Sequence, residues 1–228
     1  MNAHRFRAVV FDLDGTLVDS MPMVLRGYAH ALAPSLGPLT PEEILPRLGG
    51  PPQRFFEETI VDPIQSAAAL ARLVEFFREH WDLIQPFPGA TELLGQLRLA
   101  GVSVGVWTGR DRVSTEQILN HHGLAGQVAE IVCGDDLPSH KPDPEGLRTV
   151  LSRLGVTASE ALFVGDADVD LIAGARAGVQ TVLIRHDRAV PREIEQLAIH
   201  TVDTPSGAYH WIMDRLALRG PQPADAKI

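Results

Sequence analysis

Val9-Val10-Phe11-Asp12-Leu13-Asp14-Gly15-Thr16 decides the reading of this chain. An apolar run ends in two carboxylates one residue apart, and Gly and Thr follow at once. In an extended segment, side chains two apart fall on the same side. Asp12 and Asp14 are therefore expected to face one small volume, with a sharp turn beyond them. Two carboxylates held that close repel each other unless positive charge lies between them, and a divalent cation is the usual solution. The run lies near the start of an α/β-patterned chain. That places the pair at the carboxyl end of a strand, where open α/β sheets bind ligands.

Four further apolar runs read as buried parallel strands: residues 102–107, 130–133, 161–164 and 181–184, after the first at 8–11. Helical spacing separates them. Ala90, Leu93, Leu94 and Leu97 recur at helical intervals, as do Leu147, Val150, Leu151 and Leu154. Gly123 and Gly155 suit helix ends. Alternation of this kind predicts a doubly wound parallel sheet, a Rossmann-like α/β core.

Residues 20–86 break the alternation. No strand pattern is visible there. Segments 22–33, 41–48, 53–60 and 65–84 read as helices, punctuated by Pro34, Gly37-Pro38, Pro46, Gly49-Gly50-Pro51-Pro52 and Pro63. The expectation is a helical domain over 20–86 inserted into a core formed by 1–19 and 87–228. The polar segment 219–228 reads as a frayed tail.

Composition narrows the function classes. Of 228 residues, 45% are apolar, which is enough for a substantial core. A net charge of −9 argues against nucleic acid as a partner. No run approaches a membrane span, and the first residues lack a signal-type apolar core. With Cys133 the sole cysteine, a reducing cytoplasm fits. The chain has 18 arginines but only Lys141 and Lys227 as lysines. Lys141 thus stands out as a compact ammonium in an arginine-rich chain.

Four polar groups follow four of the strands: Asp12 with Asp14; Thr108 with Gly109 and Arg110; Lys141; and Gly165 to Asp170, which includes Asp166 and Asp168. In a parallel sheet these loops emerge at one edge and can converge. The chemistry they suit is phosphoryl transfer, which demands strong charge stabilisation. Asp12 would attack phosphorus, and Asp14 would protonate the leaving oxygen and then activate water. Mg²⁺ would be held by Asp12, the backbone carbonyl of Asp14, and Asp166, with Asp170 on the metal or on its bound water. Thr108 and the Gly109 amide would bind phosphoryl oxygens, with Lys141 as a nearby point charge.

These motifs resemble the haloacid dehalogenase superfamily over nearly the whole chain. Asp12-Leu13-Asp14-Gly15-Thr16 looks like its first motif, Thr108 its second, Lys141 its third and Gly165-Asp166 through Asp170 its fourth. Gly134-Asp135-Asp136, the run Ala173 to Gly178, and the position of the helical insertion resemble the phosphoglycolate phosphatase-like branch, whose insertion is a cap. The resemblance implies a Mg²⁺-dependent phosphatase of small phosphorylated metabolites, monomeric or homodimeric, with phosphoglycolate as first substrate. Sugar phosphates, nucleotides and pyrophosphate are the alternatives. Asp14 disfavours dehalogenation, the lack of lysine in 20–86 disfavours phosphonate cleavage, and Val24 stands where mutases carry histidine. A signalling receiver domain also uses Asp, Thr and Lys with Mg²⁺, but its order of motifs differs. A silent binding protein on the same fold is the third class, which the intact set of groups disfavours.

Three local readings stay open here. Thr108 suits a helix N-cap as well as a phosphate site. Arg110 suits either contact with a second anionic group on the substrate or a surface ion pair. The segment Gly49 to Arg54 suits either a substrate-facing cap loop or a plain interhelical turn.

Overall fold

The structure is a computed structural model that describes residues 6–48, 52–186 and 188–218. The expected tail at 219–228 and the loop residues Gly49, Gly50 and Pro51 lie outside the described residues. In chain order, β1 (Ala8–Phe11) and β2 (Val18–Asp19) precede four helices: α1 (Met21–Leu36), α2 (Pro41–Ile44), α3 (Pro52–Thr59) and α4 (Pro63–Glu79). Then follow β3 (Gln85–Pro86), α5 (Ala90–Leu99), β4 (Ser103–Trp107), α6 (Arg112–His121), β5 (Glu130–Val132), α7 (Glu145–Leu154) and β6 (Ala161–Gly165). The chain closes with α8 (Asp168–Ala177), β7 (Gln180–Ile184), α9 (Arg192–Glu195), β8 (Ala198–Val202) and α10 (Pro205–Arg215). It divides into two compact units, Met1–Asp19 with Pro86–Ile228, and Ser20–Gln85.

The first unit is built on a six-stranded sheet in the order β5-β4-β1-β6-β7-β8, with parallel pairing between neighbours. Counted within this sheet alone, the order is 3-2-1-4-5-6. The doubly wound α/β class of the sequence reading is therefore the class observed. β1 lies at the centre, with Ala8 in register with Ser103 on one side and Ala161 on the other. Its four side chains are fully buried, which is why Val9, Val10 and Phe11 form a continuous apolar run rather than an alternating one. Val10, Trp107, Val132, Leu147, Val150 and Phe163 pack together on one face. The order reverses between β1 and β6, and that switch point places the loops after these strands side by side.

Several elements depart from the sequence reading, among them β3, a two-residue strand at the end of the span 20–86 that was read as free of strands. β8 and α10 were not expected, because Ala198–Val202 carries His and Thr and is only partly buried as an edge strand. α10 opens on Pro-Ser-Gly, which reads as a turn. The second unit is helical, as the pattern predicts, although α1 passes through Pro34 and ends at Leu36. Pro34 cannot donate to the previous turn, yet the Gly37 amide still bonds the Ala33 carbonyl at 2.9 Å and closes the helix. Tyr28, Leu32, Ile44, Phe55, Phe56 and Leu73 form a separate core there. Tyr28 meets Phe55 edge-on and stacks on Phe56.

Candidate active site

β1 delivers Asp12, whose amide continues the ladder by bonding the Val164 carbonyl at 2.9 Å. The chain then turns tightly. Leu17 and Val18 both donate to the Leu13 carbonyl, and Gly15 donates to Val18. Gly15 sits at φ 77°, and a Cβ there would run into the Asp166 carboxylate. Only glycine lets this backbone approach so closely. Tyr209 of α10 donates its hydroxyl to the Thr16 carbonyl at 2.5 Å and so ties the turn to the rest of the unit.

The loop after β6 supplies Asp166, and the first turn of α8 supplies Asp170. One Asp170 oxygen, Oδ2, accepts the Ala167 amide at 3.0 Å and fixes the start of the helix. Among the described residues, Asp12, Asp166 and Asp170 each offer an oxygen to one cluster, all within 4.8 Å of one another. Burial pushes the Asp12 carboxyl well above the ordinary carboxylate range; Lys141 opposes this, and the charges of Asp170 and Asp166 add to it. Burial and then the Asp170 charge push Asp166 up to about 7. The other Asp170 oxygen, Oδ1, is buried without a hydrogen bond of good geometry, although it lies 2.8 Å from Lys141 Nζ. An all-oxygen set of crowded, partly unsatisfied carboxylates fits a hard divalent cation.

Lys141 reaches the cluster from the loop before α7. Its Nζ donates to Asp12 Oδ1 at 2.5 Å and lies 4.8 Å from the Trp107 ring centroid and 5.5 Å from that of Phe163. Burial works against its charge, but Asp12 and Asp170 win, and its pKa stands above that of a free lysine. Thr108 follows β4 and is buried, with its amide bonded to the Val132 carbonyl at 3.0 Å. Its hydroxyl accepts the Arg110 amide at 3.1 Å. The helix cap here is Asp111, which accepts the Ser114 amide at 2.9 Å, so Thr108 does not serve as the N-cap.

Asp14 does not join the carboxylate cluster through its side chain. Arg110 grips it with two bonds, Nε to Oδ2 at 2.9 Å and Nη2 to Oδ1 at 2.6 Å. Asp168 is likewise outside the cluster, paired with Arg188 at 2.7 Å. Arg54 belongs to α3 of the helical unit, where its side chain is 74% exposed and paired with Glu58 at 2.7 Å.

β1, β4, β5 and β6 lead into these groups. Residues 9–184 match the family model described as haloacid dehalogenase-like hydrolase. The chain belongs to the haloacid dehalogenase-like hydrolase family. A phosphoglycolate phosphatase from Rhodospirillum rubrum is 34% identical over 192 residues, 79% of this chain and 80% of its relative. A pyrophosphatase, PpaX, from Bacillus velezensis is 33% identical over 182 residues, 79% of this chain and 84% of that protein. Among solved structures, a HAD-superfamily hydrolase of subfamily IA, variant 1, from Geobacter sulfurreducens superimposes with a TM-score of 0.78 at 26% identity. That match covers 94% of this chain and 98% of the other.

Two residues near the family's site escaped the sequence reading. His186 Nε2 contacts the Gly15 carbonyl at 2.6 Å, and Arg188 donates to the Asp166 carbonyl at 2.7 Å. Both follow β7, at the same sheet edge as the other groups. That edge was the available signal, since no motif marks them.

Proposed function

We propose that this chain is a Mg²⁺-dependent phosphatase of small phosphorylated metabolites, with 2-phosphoglycolate the first candidate. The observation that carries the reading is the buried Lys141 ammonium set between Asp12 and Asp170 at the switch point, with Thr108 alongside. Asp12 is the nucleophile. One of its oxygens bonds to phosphorus as the bond from phosphorus to the leaving oxygen breaks, giving an aspartyl phosphate. Asp14 gives its proton to the leaving oxygen, then takes one from the water that attacks phosphorus and frees Asp12. Thr108 and the Gly109 amide hold phosphoryl oxygens, and Lys141 offsets their charge.

Asp12, Asp166 and the Asp14 backbone carbonyl would hold Mg²⁺, with Asp170 binding it directly or through water. When bound, the cation supplies charge neutralisation between the substrate and the carboxylates. The helical unit is proposed to act as the family's cap, which selects the leaving group, and Arg54 as a residue of that selection. The protein is proposed to work in the cytoplasm. Among the described residues no helix is long and apolar enough to cross a membrane.

The test is phosphate release with and without Mg²⁺ from phosphoglycolate, sugar phosphates, nucleotides and pyrophosphate. Asp12→Asn serves as the control. Turnover that needs Mg²⁺ and Asp12 is expected; a wild-type chain inert on the whole panel would sink the reading.

A further inference from the structure

We propose that Arg110 is an exchangeable latch on Asp14, released by a second anionic group on the leaving group of the substrate. The chain then favours phosphomonoesters whose leaving group carries a further negative charge. The inference rests on the phosphatase reading and deepens it.

Both oxygens of Asp14 accept N–H groups of Arg110, so the carboxylate is held in the plane of the guanidinium and cannot turn toward a leaving oxygen while the fork is closed. If Asp14 is to move a proton there, the fork must open. The Arg110 side chain is only 17% exposed and that of Asp14 31%, so a guanidinium released with nothing to pair with is poorly solvated. An anion arriving with the substrate removes that cost, because one carboxylate or phosphate replaces another on the same planar donor set. Arg110 stands where this exchange can occur. It lies two residues after Thr108 and bonds its hydroxyl, so it shares the loop proposed to hold the phosphoryl group.

The neighbouring cations are committed elsewhere. Arg112 is paired with Asp136 and Glu116, Arg188 with Asp168, and Lys141 with Asp12 and Asp170. Among these four, Arg110 alone is paired with the residue that the reaction needs released. A neutral leaving group therefore meets a latched Asp14, and a charged one opens it.

The test compares 2-phosphoglycolate with 2-hydroxyethyl phosphate, which has similar size and no second charge. A charge-assisted pair is worth about tenfold to a hundredfold, so wild type should prefer phosphoglycolate in kcat/KM by that factor. Arg110→Gln should bring the ratio close to one, chiefly through loss on phosphoglycolate, and Arg110→Lys should restore part of it. A parallel fall on both esters with the preference intact overturns the proposal, because Arg110 would then only position Asp14. Calorimetry on Asp12→Asn, which cannot turn over, separates this from the phosphatase reading. It should bind phosphoglycolate more tightly than the neutral ester, and adding Arg110→Gln should abolish the difference. Equal binding of the two esters to Asp12→Asn would sink the latch, whereas absence of phosphate release by wild type would strike the phosphatase reading.

Discussion

Lys141 Nζ stands 2.5 Å from Asp12, while a guanidinium fork holds Asp14 two residues away. The two carboxylates leave the same strand end but enter different surroundings. Asp12 joins the cluster that fits a cation, and Asp14 keeps its side chain outside it. Asp14→Asn should therefore lower kcat by about a hundredfold or more, the range for a lost general acid–base group. Mg²⁺ affinity, read by calorimetry, should change little. Equal losses in turnover and in affinity would return the pair to two equivalent ligands. The sequence could suggest that Asp12, Thr108, Lys141 and Asp166 converge, because each follows its own parallel strand. It could not say which partner each would take. Arg110 is 96 residues from Asp14, and nothing local marks that pairing over a surface ion pair.

Elements carry the site on their packing, and α7 shows how. Gly146 lies in its first turn against the Trp107 indole, where an added Cβ would collide with Nε1 and Cε2. The same indole lies beneath Lys141. Helix propensity alone makes Gly→Ala favourable by about 1 kcal/mol. Overpacking against a buried ring costs about 1–3 kcal/mol. Gly146→Ala should thus destabilise the protein in urea unfolding and reduce phosphatase turnover by displacing Trp107. A stabilised variant with full activity would show that the ring yields freely. The amphipathic stripe of Leu147, Val150 and Leu151 made α7 legible, and Gly155 at its left-handed end marked where it stops. β8 was not legible for the opposite reason. An edge strand is buried on fewer sides, so its composition is free to stay polar and its pattern fades. α10 hid behind its Pro-Ser-Gly opening, which serves as a helix start because Thr204 caps it by accepting the Gly207 amide at 3.1 Å.

At the scale of the whole chain, two cores fold from one sequence, and the cluster that fits a cation draws all its ligands from one of them. Asp12 follows β1, and Asp166 and Asp170 follow β6, within the α/β unit. Tyr28, Phe55 and Phe56 centre the other core, and neither Asp166 nor any partner of it belongs to that cluster of rings. A ligand that binds only the folded site stabilises by mass action, about 2.7 kcal/mol at a hundred times its dissociation constant. For a domain of this size that corresponds to a rise of about 5–10 °C in the melting temperature of the α/β unit. Chelation should reverse the rise, and Asp166→Asn should largely remove it while lowering Mg²⁺ affinity. Hydrogen exchange then locates the effect. Added Mg²⁺ should slow exchange at residues 12–18 and 165–170, where the turn at Gly15 closes against Asp166. Slowing confined to the helices of Ser20–Gln85 would place the cation elsewhere and overturn the assignment of these three carboxylates.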